Sequence, residues 1–158
     1  MKLSDILSEN LIHIDLRARR KKKALQEIVK FLSGRRSVLD SQKLLKAILA
    51  REKIASTGIG SGIAIPHGIT DAVTDLTCAL AVSKKGVKYG SIDKEPVHLI
   101  FVVISPEMRN IHYLAVLASI CRTFDDERLR SAVINATSPA EVMDIIREAE
   151  ETDERKRK

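Results

Sequence analysis

Between Val97 and Ile104 the chain reads VHLIFVVI, apolar at every position except His98. A run of this length, rich in β-branched and large aliphatic side chains, reads as a strand. Its near-continuous apolarity marks one covered on both faces. Such a strand is central to its sheet, so the chain must supply other strands beside it and helices over it.

The sequence contains those elements. Leu76–Val82 reads as a second strand, and LIHIDL from Leu11 to Leu16 alternates apolar and polar residues, the period of a half-buried strand. Ala24, Leu25, Ile28, Val29 and Leu32 fall at helical spacing. Asp40 is placed to cap a second helix whose inner face is Leu44, Leu45, Ile48 and Leu49. Gly86–Ile92 is a shorter strand or a loop. Ile111, Leu114, Leu117, Ala118 and Cys121 mark the stripe of a third helix, and Leu129–Ala136 a fourth under the Asp125-Asp126 pair. The last helix begins with Ser138 as N-cap, Pro139 at its first position and Glu141 at its third, a capping box. This order predicts an α/β (α+β) fold: a single layered domain, a mixed β-sheet flanked by helices. With 158 residues, 44% of them apolar, the chain can bury one sizeable core and is short for two. The domain is placed over residues 1–150, with a charged, frayed tail over 151–158.

No apolar run reaches the roughly 18 residues that span a bilayer, and Met1-Lys2-Leu3-Ser4-Asp5 has no secretory core. These features point to a cytoplasmic protein without membrane insertion. Cys78 and Cys121 both sit in apolar surroundings and are read as buried thiols. Four histidines without H-E-x-x-H or C-x-x-C spacing predict no metal site.

The chemistry concentrates in Ser56–Gly68, STGIGSGIAIPHG. Gly58, Gly60 and Gly62 alternate, which lets the backbone take positive φ, and successive N–H groups in such a segment can cradle an anion. Pro66 stiffens the approach to His67. The spacing matches neither a dinucleotide fingerprint nor a nucleotide P-loop, and Ile63–Pro66 reads as extended chain where those motifs start a helix. A plain glycine-rich β-turn is the competing reading. A histidine beside a phosphate cradle reads as a phosphoryl acceptor.

The longer string REKIASTGIGSGIAIPHG, from Arg51 to Gly68, resembles the signature around the phosphorylated histidine of enzyme IIA of the fructose/mannitol class. This class belongs to the bacterial phosphoenolpyruvate-dependent phosphotransferase system. The resemblance extends over essentially the whole chain and is strongest to the nitrogen-regulatory branch. It implies the enzyme IIA type-2 fold, with no cofactor. It further implies that His67 takes a phosphoryl group from the histidine phosphocarrier protein and passes it to a IIB-type acceptor.

Phosphoryl transfer asks for positioning and charge stabilisation, and a neutral imidazole is already a nucleophile near pH 7. The ring's other nitrogen needs an acceptor to leave the lone pair on the attacking one. A backbone carbonyl of the glycine loop is the expected partner. Arg51, sixteen positions before His67, matches the family's arginine and could grip phosphate oxygens. On position alone it could equally support the end of the second helix. His112, in the first turn of the third helix, corresponds to the family's second histidine and is expected to stabilise the phosphate. Tyr113 stands where relatives are expected to carry an aliphatic residue. Gly58, Gly60, Ser61 and Gly62 are the expected anion-pocket loop. His13 and His98 are read as structural.

A net charge of +6 comes largely from the Arg17–Lys23 run and from Arg155–Lys158. A solvated helix start and a basic tail account for it, although cations at a helix N-terminus oppose the dipole. Few aromatics and no nucleic-acid motif disfavour RNA or DNA as partners. Two functions remain: a phosphocarrier, or a purely regulatory module whose phosphorylation state selects its protein partners without onward transfer.

Overall fold

The computed structural model describes every residue except Met108 and Arg109. Six strands form one sheet: β1 (Ile12–His13), β2 (Gly58–Gly60), β3 (Ile63–Ala64), β4 (His67–Ile69), β5 (Thr77–Val87) and β6 (Val97–Ser105). Five α-helices flank it: α1 (Lys21–Leu32), α2 (Ser41–Ile54), α3 (Ile111–Thr123), α4 (Glu127–Asn135) and α5 (Pro139–Arg157). The sheet order is β1-β5-β6-β3-β2, with β4 also paired to β6.

β6 is the central strand that its apolar run predicts. β5 pairs with it antiparallel along one edge, from Thr77↔Ile104 to Val87↔Val97. Its other edge is shared by two short parallel strands, β3 opposite Leu99 and Ile100 and β4 opposite Val103 to Ser105. Alternation along β5 and β6 divides the interior. Cys78, Leu80, Val82, Leu99, Phe101 and Val103 face a core made with α3, α4 and α5. Ala79, Ala81, Ile100, Val102 and Ile104 face a second core under α1 and α2. Each fully buried Val, Leu or Ile side chain there contributes about 1.5–3 kcal/mol. His67 lies in register with Val103, so the most deeply buried strand fixes its backbone.

The α1 stripe is buried as expected, and the Asp40 carboxylate accepts the Lys43 N–H as N-cap of α2. Four expectations need correction. LIHIDL forms a ladder only at Ile12 and His13, although Leu16 N–H still donates to the Val82 carbonyl at 3.1 Å. β5 continues past Val82 to Val87, its register shifting on the way and Gly86 at φ +89°. The Ser138 hydroxyl accepts the Glu141 N–H, but the Glu141 carboxylate reaches back to Thr137, accepting its N–H and hydroxyl. α5 runs on through Arg157, with residues 151–158 all exposed, where charge density suggested a frayed tail.

A fifth correction concerns α3. Its buried residues are Val116, Ser119 and Ile120, with Tyr113 and Leu117 partly buried, while Ile111, Leu114, Ala118 and Cys121 face solvent. The helix docks about one residue's rotation from the expected stripe. Cys121 is therefore exposed and only Cys78 is buried.

Candidate functional site

The site is assembled where the end of α2, the β2–β3 hairpin, β4 and the first turn of α3 meet. The helical spacing Leu44, Ile48, Glu52 carries Glu52 onto the buried face of α2. Its carboxylate accepts the Thr57 N–H and hydroxyl, the Tyr89 hydroxyl at 3.2 Å, and an ion pair from Lys21 Nζ at 3.0 Å. Lys21 also lies 4.6 Å over the Tyr89 ring. Burial pushes the Glu52 carboxyl upward, but the Thr57 hydrogen bonds and Lys21 outweigh it and hold the group below the usual carboxylate range. One member of the basic run thus has a structural task.

The hairpin turns at Ser61 and Gly62, with φ of +56° and +77°. Positive φ at both central residues is the two-residue turn matched to strand twist. Three of the four amides expected to cradle an anion already have protein acceptors. Gly58 N–H donates to Ser56 Oγ, Gly60 N–H to Ser91 Oγ, and Ser61 N–H to Asp93 Oδ2. The amides of Glu95 and Ser61 hold the Asp93 carboxyl below its usual range, so a carboxylate already sits where an anion would bind. Gly58 also approaches Ser91 too closely for any Cβ, which would stand 2.8 Å from Ser91 Cα. The glycines build a turn that aims the following segment.

That segment delivers His67. Ile65 N–H donates to the Thr57 carbonyl at 3.0 Å, and the Pro66 carbonyl accepts Val103 N–H at 3.0 Å. The His67 ring is half-buried, with Nδ1 2.6 Å from the Ile65 carbonyl oxygen. A carbonyl only accepts, so Nδ1 carries the proton and Nε2 the lone pair. The acceptor is indeed a backbone carbonyl, from the extended residues after the glycines.

Arg51, in the last turn of α2, donates from Nη1 to the Ala55 carbonyl at 2.9 Å, anchoring its guanidinium at the start of the loop. Its charge acts on Tyr113, whose ring centroid lies 6.3 Å from that of His67. Through Tyr113 the structure ties Arg51 and His67 to one neighbourhood. His112 is exposed in the first turn of α3, next to Tyr113, its backbone N–H accepted by Asn110 Oδ1. Sequence reasoning missed Glu52, whose helical spacing was the available signal, and gave Tyr113 no task.

His13 and His98 have structural partners. His13 Nε2 donates to Glu27 and its ring stacks on Phe31, and His98 Nδ1 donates to the Ser83 carbonyl. Six large apolar side chains stand exposed on the segments around His67: Ile54, Ile59, Ile69, Ile92, Ile111 and Leu114.

With this geometry in place, comparisons with known proteins define the class. Residues 5–149 match the family described as phosphoenolpyruvate-dependent sugar phosphotransferase system, EIIA 2, and the chain belongs to that family. Along 92% of its length it is 35% identical to the fructose-specific EIIABC component of Bacillus subtilis, spanning 23% of that longer protein. It is 33% identical to a nitrogen regulatory protein of Klebsiella oxytoca, covering 94% of this chain and 92% of that one. The crystal structure of nitrogen regulatory protein IIA-Ntr from Neisseria meningitidis superposes with a TM-score of 0.82 at 32% identity, over 91% of this chain and 98% of that one. The fold is therefore that of a phosphotransferase-system IIA domain. No helix among the described residues is long and apolar enough to cross a membrane.

Proposed function

We propose that this IIA domain is a phosphocarrier whose acceptor is Nε2 of His67. The observation that carries the reading is the Nδ1–H···O=C hydrogen bond to Ile65, which leaves Nε2 as the nucleophile without any proton shift. The Nε2 lone pair forms a P–N bond as the donor's P–N bond breaks, its electron pair remaining on the donor's ring nitrogen. Nδ1 keeps its proton, and the Ile65 carbonyl stabilises the positive charge the ring then shares. Arg51 supplies the cation for the phosphoryl oxygens. His112, on the exposed rim, serves as a second donor.

The donor is the histidine phosphocarrier protein, and the group passes to a IIB-type acceptor, all in the cytoplasm. The exposed aliphatic rim around His67 supports docking of protein surfaces rather than entry of a small substrate. Likeness to nitrogen regulatory proteins along most of the chain supports a regulatory use of the same phosphorylation. Incubation with enzyme I, the histidine phosphocarrier protein and labelled phosphoenolpyruvate tests the reading. An acid-labile label that His67→Ala abolishes is the expected result; label surviving that substitution overturns it. For regulation, pull-downs from phosphorylating extracts compare wild type with His67→Ala, and identical partner sets exclude a switch.

A further inference from the structure

Tyr113 is a site neighbour with no task in the transfer just described. Its ring centroid lies 6.3 Å from that of His67, with the planes inclined by 57°. It is only partly buried, whereas Val116 and Ile120 on the same face of α3 are fully buried. Its hydroxyl makes no hydrogen bond to any described residue, and no buried side-chain oxygen among those residues is left without a partner. Tyr89, the chain's other tyrosine, differs completely, its hydroxyl being buried between Glu52 and Thr57.

Burial raises the pKa of the Tyr113 phenol, and the nearby Arg51 charge only partly offsets it. The group is thus a protonated donor at neutral pH. The His67 ring neighbours the ring of this phenol and the Arg51 charge reaches it, and both groups belong to the proposed phosphoryl site. His67 turns Nδ1 towards its own backbone, so a phosphoryl group on Nε2 projects three anionic oxygens out of the ring. The protonated hydroxyl on that neighbouring ring, unpaired among the described residues, is an available donor for those oxygens.

We infer that Tyr113 is a phosphoryl ligand, its hydroxyl donating to a non-bridging oxygen of the group carried on His67 Nε2, alongside Arg51. The hydroxyl keeps its proton throughout and enters no covalent step. Its effect is to favour the phosphorylated state. This inference rests on the phosphocarrier reading and deepens it by naming a further ligand of the transferred group.

Tyr113→Phe isolates the hydroxyl, because the ring and its packing against the core beneath α3 are retained. With enzyme I and phosphoenolpyruvate setting a fixed ratio of phosphorylated to free phosphocarrier protein, the equilibrium labelling of His67 is measured. The ratio of labelled to unlabelled protein should fall about tenfold in Tyr113→Phe, the effect of one hydrogen bond to a charged group. The thermal midpoint of the unphosphorylated variant, measured alongside, should match wild type. Tyr113→Leu, which removes ring and hydroxyl together, should show the same fall in labelling. Equal labelling of wild type and Tyr113→Phe overturns the inference and leaves the phosphocarrier reading standing. Wild type that takes no label under these conditions removes both, and does so before any variant is compared.

Discussion

The carboxylate of Glu52 accepts the backbone N–H of Thr57 at 2.9 Å and its hydroxyl at 2.6 Å. These two bonds tie the last turn of α2 to the residue that precedes the β2–β3 hairpin. The Thr57 carbonyl in turn accepts the Ile65 N–H, so Arg51, one residue before Glu52, and His67, which opens β4 just past the hairpin, are tied to one framework. The same carboxylate draws in Tyr89 and Lys21, so the segment that follows β5 and the start of α1 brace it from behind.

Glu52→Ala strands the buried Thr57 donors and leaves the half-buried Lys21 cation without its partner. Loss of stability of about 2–4 kcal/mol is expected, since breaking a buried charged pair costs more than the pair contributes. Glu52→Gln keeps one carbonyl acceptor and should lose less. Urea unfolding of the three proteins checks the order; equal midpoints for wild type and Glu52→Ala contradict it.

Acid should unfold the protein through the same residue. Glu52 and Glu27 both have carboxyls held below the usual glutamate value of 4.5. For Glu27, burial opposes the shift, and His13 with the amides of Arg17 and Ala18 overcomes it. A carboxyl depressed in the folded state binds protons more readily when unfolded. Its contribution is therefore complete above 4.5 and is lost as pH falls through the folded value. Urea midpoints should be level from neutrality down to about pH 5 and then decline, and the double variant Glu27→Gln/Glu52→Gln should flatten that decline.

Elements with one clear periodicity were legible in the sequence. The run Val97–Ile104, the α1 stripe and the Asp40 and Ser138 caps all stand where reading predicts. α3 was not, because apolar residues occur almost all round it. Ile111-Leu114-Ala118-Cys121 and Val116-Ile120 are both helical stripes, and packing against Phe101 and Val103 selects the second. At the candidate site a backbone carbonyl was the expected partner of the His67 ring, but which one was not legible until the fold set Ile65, two residues away, against Nδ1. The fates of the Gly60 and Ser61 amides were hidden, since Ser91 and Asp93 arrive from a loop beyond β5.

The His67 tautomer is open to direct observation. Long-range proton–nitrogen NMR spectra at pH 8 should show Nε2 as the unprotonated, pyridine-like nitrogen and Nδ1 as protonated. The reverse assignment would mean that the Ile65 contact is not a hydrogen bond.

Two glycines of the same motif should respond oppositely to alanine. At Gly58 an added Cβ meets Ser91 Cα and Oγ at 2.8 Å, so backbone must move. Gly58→Ala is expected to cost about 1–3 kcal/mol. At Gly68 the only neighbour is the end of Ile104 at 4.0 Å, an ordinary contact. Gly68→Ala should unfold within a few degrees of wild type. Similar thermal midpoints for the two variants would mean that β2 does not press on Ser91.

The rotation of α3 makes the two thiols unequal. Cys78 is fully buried on β5, and burial pushes its thiol up to about 12, so thiolate is scarce at any pH where the protein is folded. Cys121 lies on the solvent side of α3, in line with Ile111 and Leu114. In native protein a disulfide reagent should titrate Cys121 alone, with Cys78 reacting only after denaturant is added, and Cys121→Ser should abolish the native reaction. Had α3 docked through Ile111, Leu114 and Cys121, neither thiol would react in the native state. The titration therefore reports which face of α3 is turned outward beside His67, and with it whether Tyr113 faces the site.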